Sequence, residues 1–394
     1  MPSASFAAAT LIQRFGLVGV PSAPGPFGAL APVRAHVDDS LLRMARDAAP
    51  PEKLHILLAP LQLQVEAFLQ AGGKRLRAIA LLSAYTAWAD RRDRDEQALT
   101  AAAAIELLHA FMLAHDDLVD RSNTRRGEPT LHRRLGRVAA ANPESTLGDD
   151  LSLIAGDLLH AQAHRVMALT PWPADRAQRL LGEWFEMVMA TGFGQWADTL
   201  NDGAALARLD ASDILAVAEA KTAHYTLAGP MCFGAILAGA PAAAVEALGT
   251  YGRALGTAFQ IRDDLMDLCD PLRLGKETAD DLRRGRISVP LAIALERSHP
   301  ADAERLRALC SGDDTGSLHA RRAWVLQLVE KTEAIAAAQD LVDVRVADAL
   351  RAIEALDTPQ VELWRLIAAS ITADARPAVA ARVSSPIPLR AAAR

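Results

Sequence analysis

The chain has 394 residues, 51% of them hydrophobic and only 5% aromatic, and it carries a net charge of −6. That length accommodates one large domain or two ordinary ones, and the acidic balance gives no support to a nucleic-acid partner. The cysteines Cys232, Cys269 and Cys310 form no C-x-x-C pair, which fits reduced thiols in a cytoplasmic protein rather than a disulfide framework.

From the N-terminus, residues 1–37 contain no Asp or Glu, and the stretch from Pro21 to Pro32 is rich in Pro and Gly. A loosely ordered extension is expected there. The acid-free start, with Leu11, Ile12, Arg14 and Phe15, leaves a transit peptide open. No charged segment precedes an apolar core, so a secretory signal is not expected.

Residues 38–372 read as one all-α domain, a large helical bundle. Periods of 3.6 residues predict helices over Leu54–Leu69, Leu76–Ala89, Leu99–Arg121, Ser152–Ala168, Ala174–Ala190, Asp210–Leu227, Ala242–Asp267 and Val289–Glu296. Ala101–Leu113 is apolar nearly all round, the mark of a central helix covered by neighbours. No uninterrupted apolar run reaches the roughly 18 residues needed to span a bilayer. Residues 373–394 read as a disordered tail.

Two acidic clusters of the same design close two of these helices: His115-Asp116-Asp117-Leu118-Val119-Asp120 and Arg262-Asp263-Asp264-Leu265-Met266-Asp267. Positions i, i+1 and i+4 share roughly one helix face, so each cluster aims three carboxylates the same way. Such groups repel one another unless a cation sits among them. On facing helices they would make an all-oxygen cage suited to Mg²⁺ that shares phosphate oxygens.

The loop after the first cluster holds Arg125-Arg126-Gly127, an Arg pair able to fold back and clamp a diphosphate with fork-shaped donors. Upstream, Gly72-Gly73-Lys74-Arg75-Leu76-Arg77 opens a helix whose N-terminus and cations attract anions. His109 lies two helical turns before Asp116 on an otherwise apolar segment. Only five lysines stand against 37 arginines, and three of them, Lys74, Lys221 and Lys276, fall inside motifs.

Gly72–Arg77, His109, Asp116–Asp120 with Arg125-Arg126-Gly127, Lys221-Thr222, Phe259–Asp264 and Gly275-Lys276, taken together, resemble the trans-isoprenyl diphosphate synthases, also called polyprenyl synthetases. The resemblance covers about Asp38 to Leu295. It implies the isoprenoid-synthase bundle with a central apolar cleft, Mg²⁺ as cofactor and a homodimer. It implies that Asp116 and Asp120 are metal ligands with Asp117 supporting, that Asp263 is the second-cluster ligand, and that Asp264 and Asp267 hold metal-bound water. Lys74, Arg77, His109 and Arg126 match positions that bind isopentenyl diphosphate; Arg125, Lys221, Thr222, Gln260 and Lys276 match those that hold the allylic diphosphate. Arg286 stands where the family has a lysine, and Ala78 where many members have proline.

The implied reaction is ionisation of the allylic diphosphate, with its leaving charge held by Mg²⁺ and the Lys/Arg shell, followed by attack of the isopentenyl alkene in a cleft that excludes water. No side chain stands out as the base for the final proton loss, which the resemblance assigns to pyrophosphate. Met112 and Phe111 lie about 6 and 7.5 Å back from Asp116 along the helix and are candidate floors for the growing chain. One aromatic at the fifth position upstream, without a second at the fourth, resembles geranylgeranyl diphosphate synthases, with farnesyl or longer products as alternatives. A terpene cyclase on the same fold would need no isopentenyl site, and a non-catalytic partner subunit would be expected to have lost one Asp cluster.

Overall fold

The computed structural model describes residues 3–17, 28–48, 50–90, 92–125, 127–139, 142, 145–201, 210–269, 285–311 and 317–375. Helices follow in order: α1 (Ser3–Arg14), α2 (Ala31–Arg46), α3 (Glu52–Gln70), α4 (Leu76–Trp88) and α5 (Asp95–Val119). A hairpin of two-residue strands, β1 (Thr124–Arg125) and β2 (Glu128–Pro129), pairs Thr124 with Pro129 and Arg125 with Glu128. Then come α6 (Leu131–Val138), α7 (Leu147–Leu169), α8 (Ala177–Leu200), α9 (Ala211–Ala218), a π-helix (Glu219–Ala228), α10 (Gly229–Ala238) and α11 (Ala242–Cys269). The remaining helices are α12 (Val289–Arg297), α13 (Pro300–Cys310), α14 (Leu318–Lys331), α15 (Ala334–Ala352) and α16 (Gln360–Ala375).

The bundle is built around α5, whose residues Ala101–Ala104, Leu107 and Leu108 are buried by its neighbours α4, α7 and α2. Alanine has the highest helix propensity and lets neighbouring axes come close, so an alanine-rich helix suits the centre. By length and composition α5 would also cross a membrane: its best 18-residue window has a mean hydropathy of 1.5. Yet 61% of that window is buried inside the protein, as expected of a core helix. Glu106 and His109 interrupt the apolar run without lowering its mean far, which is why counting unbroken residues passes over it.

The N-terminus departs from expectation. Ala7, Ala8 and Leu11 are buried, and α1 packs against α16. Arg14 fastens α1 to the start of α5, donating to Asp95 Oδ1 from Nε at 3.0 Å and from Nη2 at 2.8 Å, and to the Ala89 carbonyl. Tyr85 OH joins the same carboxylate at 2.9 Å; burial and then that carboxylate push its phenol up to about 12. Residues 7, 8, 11, 12 and 15 form an apolar stripe at three- and four-residue spacing, an ordering that an acid-free composition hides. A second helix then starts at Ala31 with Pro32 in its first turn, where proline's missing N–H is no loss. The loose extension assigned to 1–37 therefore fails for 3–14 and 31–37. The tail from 376 onward lies outside the described residues, and α16 carries the domain to Ala375. Trp364 closes α16 onto the core, donating its indole N–H to Ser83 Oγ at 2.9 Å and accepting the Tyr251 hydroxyl on its carbonyl at 2.7 Å.

Two glycines set how closely helices approach the π-helix. A Cβ on Gly194 of α8 would lie 2.5 Å from Lys221 Cα, and one on Gly256 of α11 would lie 2.5 Å from Ala223 Cα. Only glycine allows backbones this near. One turn beyond each glycine stands a polar side chain, Asp198 on α8 and Gln260 on α11, delivered to the same ten-residue segment.

Candidate active site

The first acidic cluster ends α5. Asp120 is the C-cap, and Arg121 follows with a φ of +50°; its N–H bonds to Leu118 O at 3.1 Å and the Ser122 N–H bonds to Asp117 O at 2.9 Å. This is a Schellman turn with arginine where glycine is usual. It throws the chain into the β1–β2 hairpin, which returns Arg125 over the helix end. Arg125 Nε lies 2.9 and 3.1 Å from the two oxygens of Asp117, and its Nη2 lies 3.3 Å from Asp116. Burial works to lower the Arg125 pKa, but the charges of Asp117 and Asp116 outweigh it and hold the group above its ordinary value. Asp117 is buried, whereas Asp116 and Asp120 are half-buried.

The π-helix is the hub. Its i→i+5 bonding widens the turn, and such segments are rare and frequently found at functional sites. Lys221 Nζ lies 3.3 Å from Asp116 Oδ1 and 2.5 Å from Asp198 Oδ2, while Arg286 Nε lies 2.9 Å from the other Asp198 oxygen. Burial works to lower the Lys221 pKa, but the charges of Asp116 and Asp198 outweigh it and raise the group above its ordinary value. Next along the hub, Thr222 Oγ1 donates to Gln260 Oε1 at 2.8 Å, and Gln260 Nε2 donates to Asp264 Oδ1 at 2.8 Å. One turn on, Tyr225 lies beneath the Arg77 guanidinium (4.2 Å to the ring centroid) and places its hydroxyl 3.4 Å from His109 Nδ1. Arg77 Nη2 also donates to Thr226 Oγ1 at 3.1 Å. Ten residues thus join both acidic helices to Arg77 and His109. Lys74 is exposed in the loop before α4. Arg126 and Lys276 lie outside the described residues.

The second cluster divides by depth. Asp263 is half-buried and takes Arg262 Nη2 at 2.6 Å. Asp264 and Asp267 are buried. Asp264 accepts Gln260 on one oxygen and the Val289 N–H on the other at 3.1 Å, so it anchors the start of α12. Each Asp264 oxygen thus accepts one hydrogen bond from a protein group. A preformed cage is not found: among the described residues no three acidic, His or Cys side chains gather closely enough to hold a metal. Arg125 and Lys221 take up oxygens of the first cluster instead. The accessible donors are Asp116, Asp120 and Asp263, hard carboxylate oxygens from two helices. They fit a hydrated Mg²⁺ that needs only one or two carboxylates and completes its shell with phosphates and water.

Asp198 is the functional candidate that the sequence reading missed. It is buried on α8, four residues after Gly194, and links Lys221 to Arg286. Its signal in the sequence is an Asp that continues the three- and four-residue spacing of the stripe Leu180, Trp184, Met187, Thr191 and Gly194. Phe111 and Met112 are half-buried on α5, and the Phe111 ring sits between His115 (4.7 Å) and His160 of α7 (4.5 Å). The two imidazoles fill space beside the expected floor. A separate cavity of about 460 Å³, lined by residues including Asp47, Glu96, Thr100 and Gln162, contains none of the candidate residues and lies toward the other end of α5.

The polyprenyl synthetase family model matches residues 59–326, which is more than half of the chain and takes in both acidic clusters. The chain belongs to the polyprenyl synthetase family. Among its relatives, a geranylgeranyl diphosphate synthase of Methanosarcina mazei is 32% identical over 68% of this chain and 75% of its own length. A (2E,6E)-farnesyl diphosphate synthase of Mycobacterium tuberculosis is 35% identical over 66% of this chain and 67% of its own. The crystal structure of a geranylgeranyl pyrophosphate synthase from Corynebacterium glutamicum, complexed with isoprenyl diphosphate and magnesium, superposes with a TM-score of 0.77 at 28% identity. It spans 86% of this chain and 98% of that one. The all-α fold of this polyprenyl synthetase is therefore the isoprenoid-synthase bundle, and its chemistry is that of the trans-prenyltransferases.

Proposed function

We propose that this polyprenyl synthetase condenses isopentenyl diphosphate with an allylic prenyl diphosphate in the presence of Mg²⁺, releases pyrophosphate, and stops at geranylgeranyl diphosphate. The observation that carries the reading is the π-helix hub, which ties Lys221 to Asp116, Thr222 to the second cluster, and Tyr225 to Arg77 and His109. Asp116, Asp120 and Asp263 would hold Mg²⁺, which when bound would neutralise the diphosphate charge as a Lewis acid. Arg125, Lys221 and Arg286 add fixed positive charge around the allylic diphosphate as its bond to carbon breaks, with Lys276 assigned the same role from its motif. Lys74, Arg77, His109 and Arg126 orient isopentenyl diphosphate so that its alkene meets the cation. Leu108, Phe111 and Met112 form the apolar wall that keeps water from it.

The product length rests on Phe111, wedged between His115 and His160 one and a half turns behind Asp116. The test is product analysis by mass spectrometry after incubation with Mg²⁺, isopentenyl diphosphate and, separately, dimethylallyl, geranyl or farnesyl diphosphate. Geranylgeranyl diphosphate as the terminal product is expected from all three. A terminal farnesyl or longer product would remove Phe111 as the floor while leaving the reaction intact. A hydrocarbon made without consumption of isopentenyl diphosphate would replace the synthase by a cyclase.

A homodimer in the cytoplasm completes the proposal. Ile154 and Leu158 of α7 (56% and 63% exposed) and Phe185, Met189, Phe193 and Trp196 of α8 (50–73% exposed) form an apolar face at helical spacing. Exposed apolar rows of this kind are unusual on a lone subunit, and a twofold axis would let them cover one another between two copies. Light scattering coupled to size exclusion should give twice the chain mass, and Trp196→Glu should halve it; a wild-type monomer would overturn the assignment.

A further inference from the structure

We propose that Arg75 and Glu106 form a buried positioning pair that sets Lys74, Arg77 and His109 in register for isopentenyl diphosphate; the inference rests on the prenyltransfer reading above. The three cations of Gly72-Gly73-Lys74-Arg75-Leu76-Arg77 look alike in sequence, but the fold separates them. Lys74 is exposed and Arg77 reaches the hub, whereas Arg75 is only 7% exposed and points into the protein.

Arg75 is the N-cap of α4 and holds a left-handed backbone, φ 47° and ψ 42°. Its guanidinium is fixed at three points: Nε to Asp38 Oδ1 at 2.6 Å, Nη2 to the Leu69 carbonyl at 2.8 Å, and Nη1 to Glu106 Oε2 at 3.3 Å. Glu106, 2% exposed on α5, uses its other oxygen to accept the Ala78 N–H of the first turn of α4 at 3.3 Å. One carboxylate therefore fixes both the side chain at the cap and the backbone of the turn behind it. His109 stands one turn along α5 from Glu106, on the same side.

Stability alone explains this arrangement poorly. A left-handed backbone strains any residue but glycine, and the chain already supplies glycine at 72 and 73. A buried ion pair is commonly no better for stability than apolar packing. What the pair does provide is direction. With Arg75 turned inward at the bend, its neighbours Lys74 and Arg77 are fixed relative to α5, and hence relative to His109.

The test separates the two substrates. Glu106→Gln keeps the shape of the side chain and removes its charge. It is expected to raise the KM for isopentenyl diphosphate about tenfold or more, the scale on which misplaced substrate contacts act, with the allylic KM within about twofold of wild type. A melting curve taken alongside checks that the variant is folded. If it does not fold, Arg75→Gly, which suits the left-handed backbone while removing the anchor, takes its place with the same expectation. Equal changes in both KM values, or none, would overturn the positioning role while leaving the prenyltransfer reading standing. Wild-type enzyme that fails to consume isopentenyl diphosphate would overturn both.

Discussion

Gly194→Ala should disable the enzyme without touching a charged group. The new Cβ would sit 2.5 Å from Lys221 Cα and 2.6 Å from the Ala220 carbonyl carbon, against backbone that has no rotamer by which to yield. Carbon atoms rest at about 3.5 Å or more, so α8 and the π-helix must part by about 1 Å. Asp198 travels with α8, and Lys221 loses the geometry of its 2.5 Å contact. Overpacking of this kind costs about 1–3 kcal/mol of stability, and a 1 Å displacement of a site group costs on the order of a hundredfold in rate. Gly192 is the control on the same helix: a Cβ there meets nothing within 4 Å, so Gly192→Ala should be neutral or slightly stabilising. Steady-state turnover with isopentenyl and farnesyl diphosphates, together with urea unfolding, measures both effects. Wild-type turnover and stability in Gly194→Ala would refute the claim that this close approach builds the site.

Asp198→Asn should leave Lys221 and Arg286 facing each other across a neutral amide, lowering turnover about a hundredfold with the allylic KM raised; unchanged allylic kinetics would show that Asp198 only supports the fold. Glu183 of α8 is pushed up to about 7 by burial and then by Glu186. The native state therefore holds a proton there that the unfolded chain releases near 4.5, so stability should fall as pH rises from 4.5 to about 7 and level off above. Glu183→Gln should abolish that slope and be more stable at pH 8 by up to about 3 kcal/mol, and a slope that survives the substitution would exclude Glu183 as its source. Phe111→Ala should lengthen the terminal product by at least one five-carbon unit, read by mass spectrometry; an unchanged product would mean that His160 or another wall sets the limit.

Both acidic clusters were legible because a carboxylate at i, i+1 and i+4 has few uses on a buried helix other than charge chemistry. The bundle was legible because its apolar residues recur at helical spacing from α3 to α12. The π-helix was not: nothing in Glu219–Ala228 distinguishes i→i+5 from i→i+4 bonding, which is decided by the helices crossing at Gly194 and Gly256. Asp198 escaped because one acidic residue carries no pattern, and its meaning comes from Lys221, 23 positions away. Arg75 escaped for the opposite reason, standing among cations that sequence cannot rank. The depth of Asp264 likewise depends on α12 arriving with an N–H to be capped, a tertiary event invisible in the local motif. The ordered N-terminal helix was lost by weighing composition over spacing.

Because Lys221 and Tyr225 belong to one turn of the same π-helix, the two substrate halves proposed for this enzyme share a mechanical element. A ligand that drew Lys221 away from Asp116 would pull on the segment against which Arg77 and His109 rest. Thermodynamic linkage then makes the effect mutual: whatever factor the allylic diphosphate imposes on isopentenyl affinity, isopentenyl diphosphate must impose in return. Any such coupling would run through ten residues, and not through either phosphate pocket alone.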